Sequence, residues 1–206
     1  MPFTIDSYAL TTLADVKEHL NIPTATTTND NILIRQINAA SEMIETYIDR
    51  KVRQRSFTEY YDGRGNDRIL LRQWPVTKPT ELWDDSSGLF TDSSNQFQAT
   101  EFEVEGDPAT GVILLGGRKF SKGTRNIKVV YQGGYATTPY IIAECCIWTV
   151  EFLYDMKSDR SIRVQSKGKN QETTTFLGDL PPVVKNMLEP YRRFEVPLAY
   201  VGVQNT

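Results

Sequence analysis

The sequence predicts an α+β protein: a bundle of about four helices drawn from both ends of the chain, with an antiparallel β insertion in its middle. Three observations carry this. Apolar residues recur at helical spacing before Val52 and after Pro139, strand-forming residues fill the region between, and Gly, Asp and Asn clusters punctuate it. The expected division is a helical domain made of residues 1–53 and 132–206, ending in an extended C-terminal tail, and a β-rich insertion over 54–131.

The first helix is expected to start at Thr12. Thr12 and Asp15 form a capping-box pattern, Leu13, Val16 and Leu20 follow at helical spacing, and Asn21-Ile22-Pro23 ends the run. A threonine-rich connector then leads to a cap at Asn29 or Asp30. From Asp30 to Arg50, Ile34, Ile37, Ser41, Ile44 and Ile48 step by three and four, while Arg35, Glu42, Glu45 and Asp49 are expected to face elsewhere. At 1.5 Å per residue this gives a rod of roughly 31 Å.

After Val52 the period changes. Ser56 to Tyr61 is rich in strand formers, Asp62-Gly63-Arg64-Gly65-Asn66 is turn chemistry, and Ile69 and Leu71 follow, so a hairpin is expected there. Further strands are expected at Thr80–Trp83, Glu101–Glu105, Gly111–Leu115 and Asn126–Tyr131. Gly133-Gly134 stops the last one. Short strands so closely spaced favour an antiparallel sheet or small sandwich.

A third helix begins near Pro139, a residue suited to the first helical turn, and runs to about Met156. Ile141, Ile142, Cys145, Cys146, Trp148, Val150, Phe152 and Leu153 leave only a thin polar strip of Glu144, Glu151 and Asp155. This helix is therefore expected to be the most enclosed. Between Lys157 and Thr175 apolar residues nearly vanish, and five cations (Lys157, Arg160, Arg163, Lys167, Lys169) face two carboxylates. Leu180-Pro181-Pro182 opens a short last helix with Val183, Val184, Met187 and Leu188 as its apolar face, closed by Pro190. A tail from Phe194 to Thr206 follows.

Composition narrows the function. Ten Tyr, nine Phe and 39% apolar residues suit a folded chain, and a net charge of −3 lacks the basic balance of a dedicated nucleic-acid binder. No run of 18 apolar residues is present, so no membrane partner is expected. Cys145 and Cys146 are adjacent, which favours reduced, buried thiols over a strained disulfide. With His19 as the single histidine, neither a zinc site nor a nucleophilic triad has its parts, and no metal or cofactor is expected.

The remaining candidate chemistry is sparse. Gly63-Arg64-Gly65 and Gly116-Gly117-Arg118-Lys119 lack phosphate-loop spacing and read as turns. Tyr60, Tyr61, Trp74 and Trp83 allow either a stacking surface for a sugar or base, or cross-strand packing. Glu144, Glu151 and Asp155 allow paired acid/base groups, a cation site or, more simply, a solvated or inter-subunit helix face. The basic run from Lys157 to Lys169 suits a solvated loop or contact with phosphates or an acidic surface.

Three separated stretches together resemble the head-to-tail connector, or adaptor and head completion, family of tailed bacteriophages. They are Leu10–Leu20 with Asp30 and Ile37–Arg50; Val129-Val130-Tyr131-Gln132-Gly133-Gly134-Tyr135 followed by Pro139 and the apolar helix to Tyr154; and Leu180-Pro181-Pro182 through Leu188-Glu189-Pro190-Tyr191-Arg192-Arg193. The resemblance implies a non-catalytic ring, typically of twelve copies, beneath the portal vertex, bridging the portal protein to head-closure (stopper) or tail proteins, with packaged double-stranded DNA passing through its channel. It further implies that the helices from Asp30 and Pro139 pack side by side around that channel. The tail, with Tyr191, Arg192, Arg193, Phe194, Val196, Leu198, Tyr200 and Val203, would dock on the portal. Strand addition is a plausible mode for so apolar a segment. The basic loop would line the DNA path. Two alternatives stand beside this reading: a head-closure or tail-completion ring working through the β middle, and a carbohydrate- or nucleic-acid-binding module using its aromatic residues.

Overall fold

The computed structural model describes residues 3–77, 79–106, 111–158 and 180–193. The described residues form an α+β fold with four helices and two three-stranded antiparallel sheets. The chain divides into two compact units, one built from Met1–Arg50 and Pro139–Thr206, the other from Lys51–Thr138.

In the helical unit α1 spans Leu13–His19. Its capping box forms as the spacing predicts: Thr12 Oγ1 accepts from the Asp15 N–H at 3.2 Å, and the Asp15 carboxylate accepts from the Thr12 N–H at 3.3 Å. Helix α2 spans Asp30–Ile48 and ends on Asp49, whose φ of 52° places it in the left-handed conformation common at helix C-termini. Leu33, Ile37, Ala40, Ser41, Ile44 and Ile48 are buried along one stripe. Glu45, expected to face away, is buried too. It lies four residues after buried Ser41 and three before Ile48, inside the stripe, and helical geometry leaves it no other face.

Helix α3 spans Tyr140–Ser158 and α4 spans Pro182–Leu188, with a proline at its start as expected and a single 3-10 turn, Glu189–Tyr191, after it. Helix α2 packs on α3, α4 packs on α3, and α1 touches both α2 and α3. Ser41 is the polar node of this core. Its hydroxyl donates to the Ile37 carbonyl at 2.7 Å, accepts from the Leu10 N–H at 3.1 Å and lies 3.6 Å from the Cys146 sulfur. Both cysteines are free and buried. The apolar face of α4 is narrower than its sequence suggests: Val184 and Leu188 are buried, Val183 is 51% exposed and Met187 only partly covered.

The β unit holds β1 (Arg55–Arg64), β2 (Arg68–Leu70), β3 (Glu81–Asp84), β4 (Phe102–Val104), β5 (Val112–Leu115) and β6 (Lys122–Gly133). One sheet has the order β1-β6-β3, the other β2-β5-β4. The hairpin expected around Gly63 does not form. Instead β1 runs on through Arg64, slips register by a bulge between Tyr61 and Gly63, and pairs Gly63 with Gly123 and Arg64 with Lys122. The chain crosses to the other sheet only at Gly65, where φ is 79°.

The bulge explains the glycine that reads as a turn. A Cβ on Gly63 would lie 1.8 Å from the Ser121 carbonyl oxygen, so only glycine fits. Buried Asn126 locks the site, its carbonyl accepting from the Gly63 N–H at 2.8 Å and its amide donating to Asp84 at 3.0 Å. One apolar cluster takes Leu82, Ile127, Val129 and Tyr131 from the first sheet and Phe102, Ile113 and Leu115 from the second. Glu59, buried beside it, accepts from the Tyr61 hydroxyl and from the Arg72 N–H at 3.3 Å, which satisfies a carboxylate that would otherwise be costly there.

Candidate assembly interface

The α3 face that points away from α2 and α4 is the first candidate. Tyr140, Glu144, Trp148, Glu151 and Asp155 recur every three or four residues, so they share one side of the helix with Ile141 beside them. Tyr140 is 92% and Ile141 45% exposed, Glu144 and Asp155 are exposed, and Trp148 is partly exposed. The structure therefore corrects the expectation that α3 is enclosed on all but a thin polar strip. Its covered side is Ile142, Cys145, Cys146, Ile147, Thr149 and Val150; the opposite side mixes two aromatics, an isoleucine and carboxylates. A surface rich in aromatic residues is typical of protein interfaces.

Glu151 ties the acidic strip to α1. Its carboxylate lies 2.9 Å from His19 Nε2, which joins the end of α1 to α3. Next to it the Asn29 amide donates to the Tyr154 hydroxyl at 3.1 Å. His19 thus has a positional role at a helix–helix contact.

The second candidate is the point where the tail leaves. The Arg193 N–H donates to the Ile48 carbonyl at 2.9 Å and its guanidinium lies 3.5 Å from the Asp49 carboxylate, so a cation caps the C-terminus of α2. The Tyr47 hydroxyl donates to Glu189 at 3.0 Å, while Arg192 pairs with Glu189 at 3.2 Å and stands 5.3 Å over the Tyr47 ring. Partial burial, then the Glu189 carboxylate, raises the Tyr47 phenol above its ordinary value. Of the expected docking residues, Tyr191, Arg192 and Arg193 fall in this anchored turn. Phe194, Val196, Leu198, Tyr200 and Val203 lie outside the described residues. So do Arg160, Arg163, Lys167 and Lys169 of the basic run, while Lys157 belongs to the last turn of α3.

The four aromatic residues of the β unit do not form one platform. Tyr60 and Trp83 sit on the sheet face that carries Lys128, whose ammonium is 5.4 Å from the Trp83 ring and 3.0 Å from Glu81. Tyr61 and Trp74 pack instead against the apolar cluster. Alternation along β1 forces Tyr60 and Tyr61 to opposite faces. Among the described residues no group of three or more His, Cys, Asp or Glu is placed to hold a metal ion, and no helix is long and apolar enough to cross a membrane.

Comparison with solved structures gives the architecture a context. The fold is similar to a chain in the neck of an empty gene transfer agent particle, computed with C6 symmetry, at a TM-score of 0.62 and 19% identity over 95% of this chain and 96% of that one. A chain in the neck of the native particle, computed with C12 symmetry, aligns at 0.59 and 18%, and one from the whole native virion at 0.62 and 18%, each over the same shares. The chain therefore has the fold of subunits found in the necks of phage-like particles. It belongs to the head completion protein family, which matches residues 9–194. That family consists of structural proteins of the virion and not of enzymes. No curated protein matches the chain by sequence.

Proposed function

We propose that the chain is a ring subunit in the neck of a phage-like particle, attached to the portal vertex and linking the DNA-filled head to tail or head-closure proteins. The observation that carries this is the family match across almost the whole chain, joined to a fold shared with neck subunits over 95% of its length. Helices α1 to α4 act as a bundle, and the exposed α3 face with Tyr140, Glu144, Trp148, Glu151 and Asp155 meets a neighbouring copy. The C12 symmetry of the related native neck supports a ring of twelve.

The tail from Phe194 to Val203 docks on the portal, leaving from a base that Arg193 holds against α2. The basic run from Lys157 to Lys169 lines the channel and contacts packaged DNA without sequence preference, as phosphate-directed cations do. The helical domain of the chain carries ring and portal contacts, and the β insertion is left for other neighbours.

The test is reconstitution with the portal. Full-length protein mixed with purified portal is expected to form a ring visible by cryo-electron microscopy, and a chain lacking residues 194–206 is expected to keep its fold and lose the portal. Retained binding by the shortened chain contradicts the tail assignment. Absence of any ring on the portal contradicts the whole reading.

A further inference from the structure

Among the described residues the sheet β1-β6-β3 is open on one side only. At its β3 edge, Gln96 forms a bridge with Trp83 and the Phe97 N–H donates to the Leu82 carbonyl at 2.8 Å, so a passing segment closes that edge. At the β1 edge the geometry is the reverse. The Thr80 N–H donates to the Val130 carbonyl, so Val130 turns its peptide groups towards β3, and Val129 and Tyr131 turn theirs towards β1. Phe57 and Glu59, their partners, therefore face inward, and Ser56, Thr58 and Tyr60 direct N–H and C=O groups outward. None of these three has a backbone partner on that side among the described residues.

The five-residue stretch before the bulge is left open, although proteins blunt such edges with proline, lysine, bulges or extreme shortness. Ser56 to Tyr60 contains neither residue, and the strands of the other sheet are three or four residues long. Beside the edge stands an apolar shelf: the Tyr60 ring lies 5.5 Å from Phe90, and Leu89 next to it is 71% exposed. Asp85 holds this loop in place, accepting from the N–H groups of Ser87 at 2.9 Å and Phe90 at 2.8 Å. At the far end Arg64 pairs with Lys122 across the ladder, and among the described residues no carboxylate pairs with either side chain or with that of Arg125. Arg125 lies 5.2 Å over the Tyr60 ring, and Asp62 accepts only from its backbone N–H.

We propose that the β1 edge is an acceptor for an extended segment of a different neck protein, apolar at alternate positions and acidic at the end that meets Arg64 and Lys122. Strand addition supplies the affinity through Ser56, Thr58 and Tyr60, while Tyr60, Phe90 and Leu89 receive a side chain and Arg64 and Lys122 fix direction. Charge argues against a second copy as occupant. Antiparallel pairing of β1 with itself brings the Arg55 end of one strand to the Arg64 and Lys122 end of the other, and the two-fold contact closes a dimer where a ring is needed.

The proposal rests on the neck reading for the place where the partner is met. Its test is a reconstruction of the neck from particles assembled with the full chain, together with two variants. Thr58→Pro removes one outward N–H while leaving the ladder to β6 intact, and Arg64→Glu with Lys122→Glu reverses the charge at the end of the edge. A fourth strand from a non-identical protein along Ser56–Tyr60 is expected, and each variant is expected to lower the amount of that protein per particle about tenfold or more. Copies of the chain itself should be unchanged. The charge variant, whose sites are exposed, keeps the test valid if Thr58→Pro misfolds. A bare β1 in a seated chain, a strand supplied by this chain's own tail or a neighbour's, or a full partner complement in the charge variant overturns the proposal. A neck that lacks the chain overturns the neck reading as well.

Discussion

Lys17 lies 2.6 Å from Asp30 with its side chain only 4% exposed, which rivets α1 to the first turn of α2. The ammonium also donates to the carbonyls of Thr24 at 3.3 Å and Thr26 at 2.8 Å, so one buried cation organises the whole threonine-rich connector. Removing it strands Asp30 and two carbonyls. Lys17→Met should therefore lower stability by about 2–3 kcal/mol, less than a fully buried pair because Asp30 keeps some access to water. Urea denaturation checks this, and an unchanged midpoint would mean that the pair contributes nothing.

Gly63 makes a sharper steric prediction. With a Cβ 1.8 Å from a backbone oxygen, Gly63→Ala must displace β6 or break the bulge, at a cost of about 2–3 kcal/mol. Gly116→Ala is the control, since its Cβ would meet nothing closer than 3.8 Å and should change stability by less than about 0.5 kcal/mol. Equal melting temperatures for the two variants would contradict the role given to the bulge.

The buried thiols tie stability to alkaline pH. Burial pushes Cys145 up to about 11 and Cys146 up to about 12 from an ordinary value of 9.0. Above pH 9 the unfolded chain releases these protons and the folded chain holds them, so the unfolded state binds fewer and stability falls as pH rises. The stabilisation is complete below pH 9 and lost progressively towards pH 11–12. Titration of the denaturation midpoint over pH 8–11 should show that decline, attenuated in a Cys145→Ala, Cys146→Ala variant. Native thiols should also resist a thiol reagent at pH 8 until denaturant is added.

Charge on the α3 face separates assembly from folding. Glu144→Lys changes an exposed position and should leave the melting temperature within a few degrees of the parent. Ring formation on the portal should weaken by about tenfold or more, because like or unlike charge at a repeated contact acts once per neighbour. Rings of normal abundance would remove this face from the interface. Glu151 is unsuitable for the experiment, since its substitution would also release His19.

The helical unit was the more legible part of the sequence because its signals are local. Thr12 and Asp15 announce α1 within four residues, and Ile37, Ser41, Ile44 and Ile48 state the buried face of α2 by spacing alone. The β unit depends on pairings that spacing does not encode. Gly63 reads as a turn because its reason for being glycine is Ser121, some sixty residues away. For the same reason Glu45 was misplaced, since a single stripe drawn through isoleucines ignores the carboxylate that shares it. Ile141 and Trp148 look like core in a sequence so apolar, and only the packing of α2 and α4 on the other side of α3 reveals them as surface. Lys17 gave no signal beyond its helical position, and neither the missing neighbours of β1 nor the segment closing β3 leaves any mark in composition.

The division of the chain sets an order of events during synthesis. Every pairing of the named strands lies between Arg55 and Gly133, and the flanking Arg53–Tyr135 bridge adds two residues at each end, so the β unit has these partners once that stretch clears the ribosome. Helix α2, made earlier, must wait for α3, whose first residue is Tyr140. At about 5–20 residues per second that wait lasts several seconds, during which the apolar stripe of Leu33, Ile37, Ile44 and Ile48 has no more than the short α1 to pack on. A chain whose middle matures before its ends is most exposed to aggregation and chaperone capture through its first fifty residues, well before any neighbour in a virion is met.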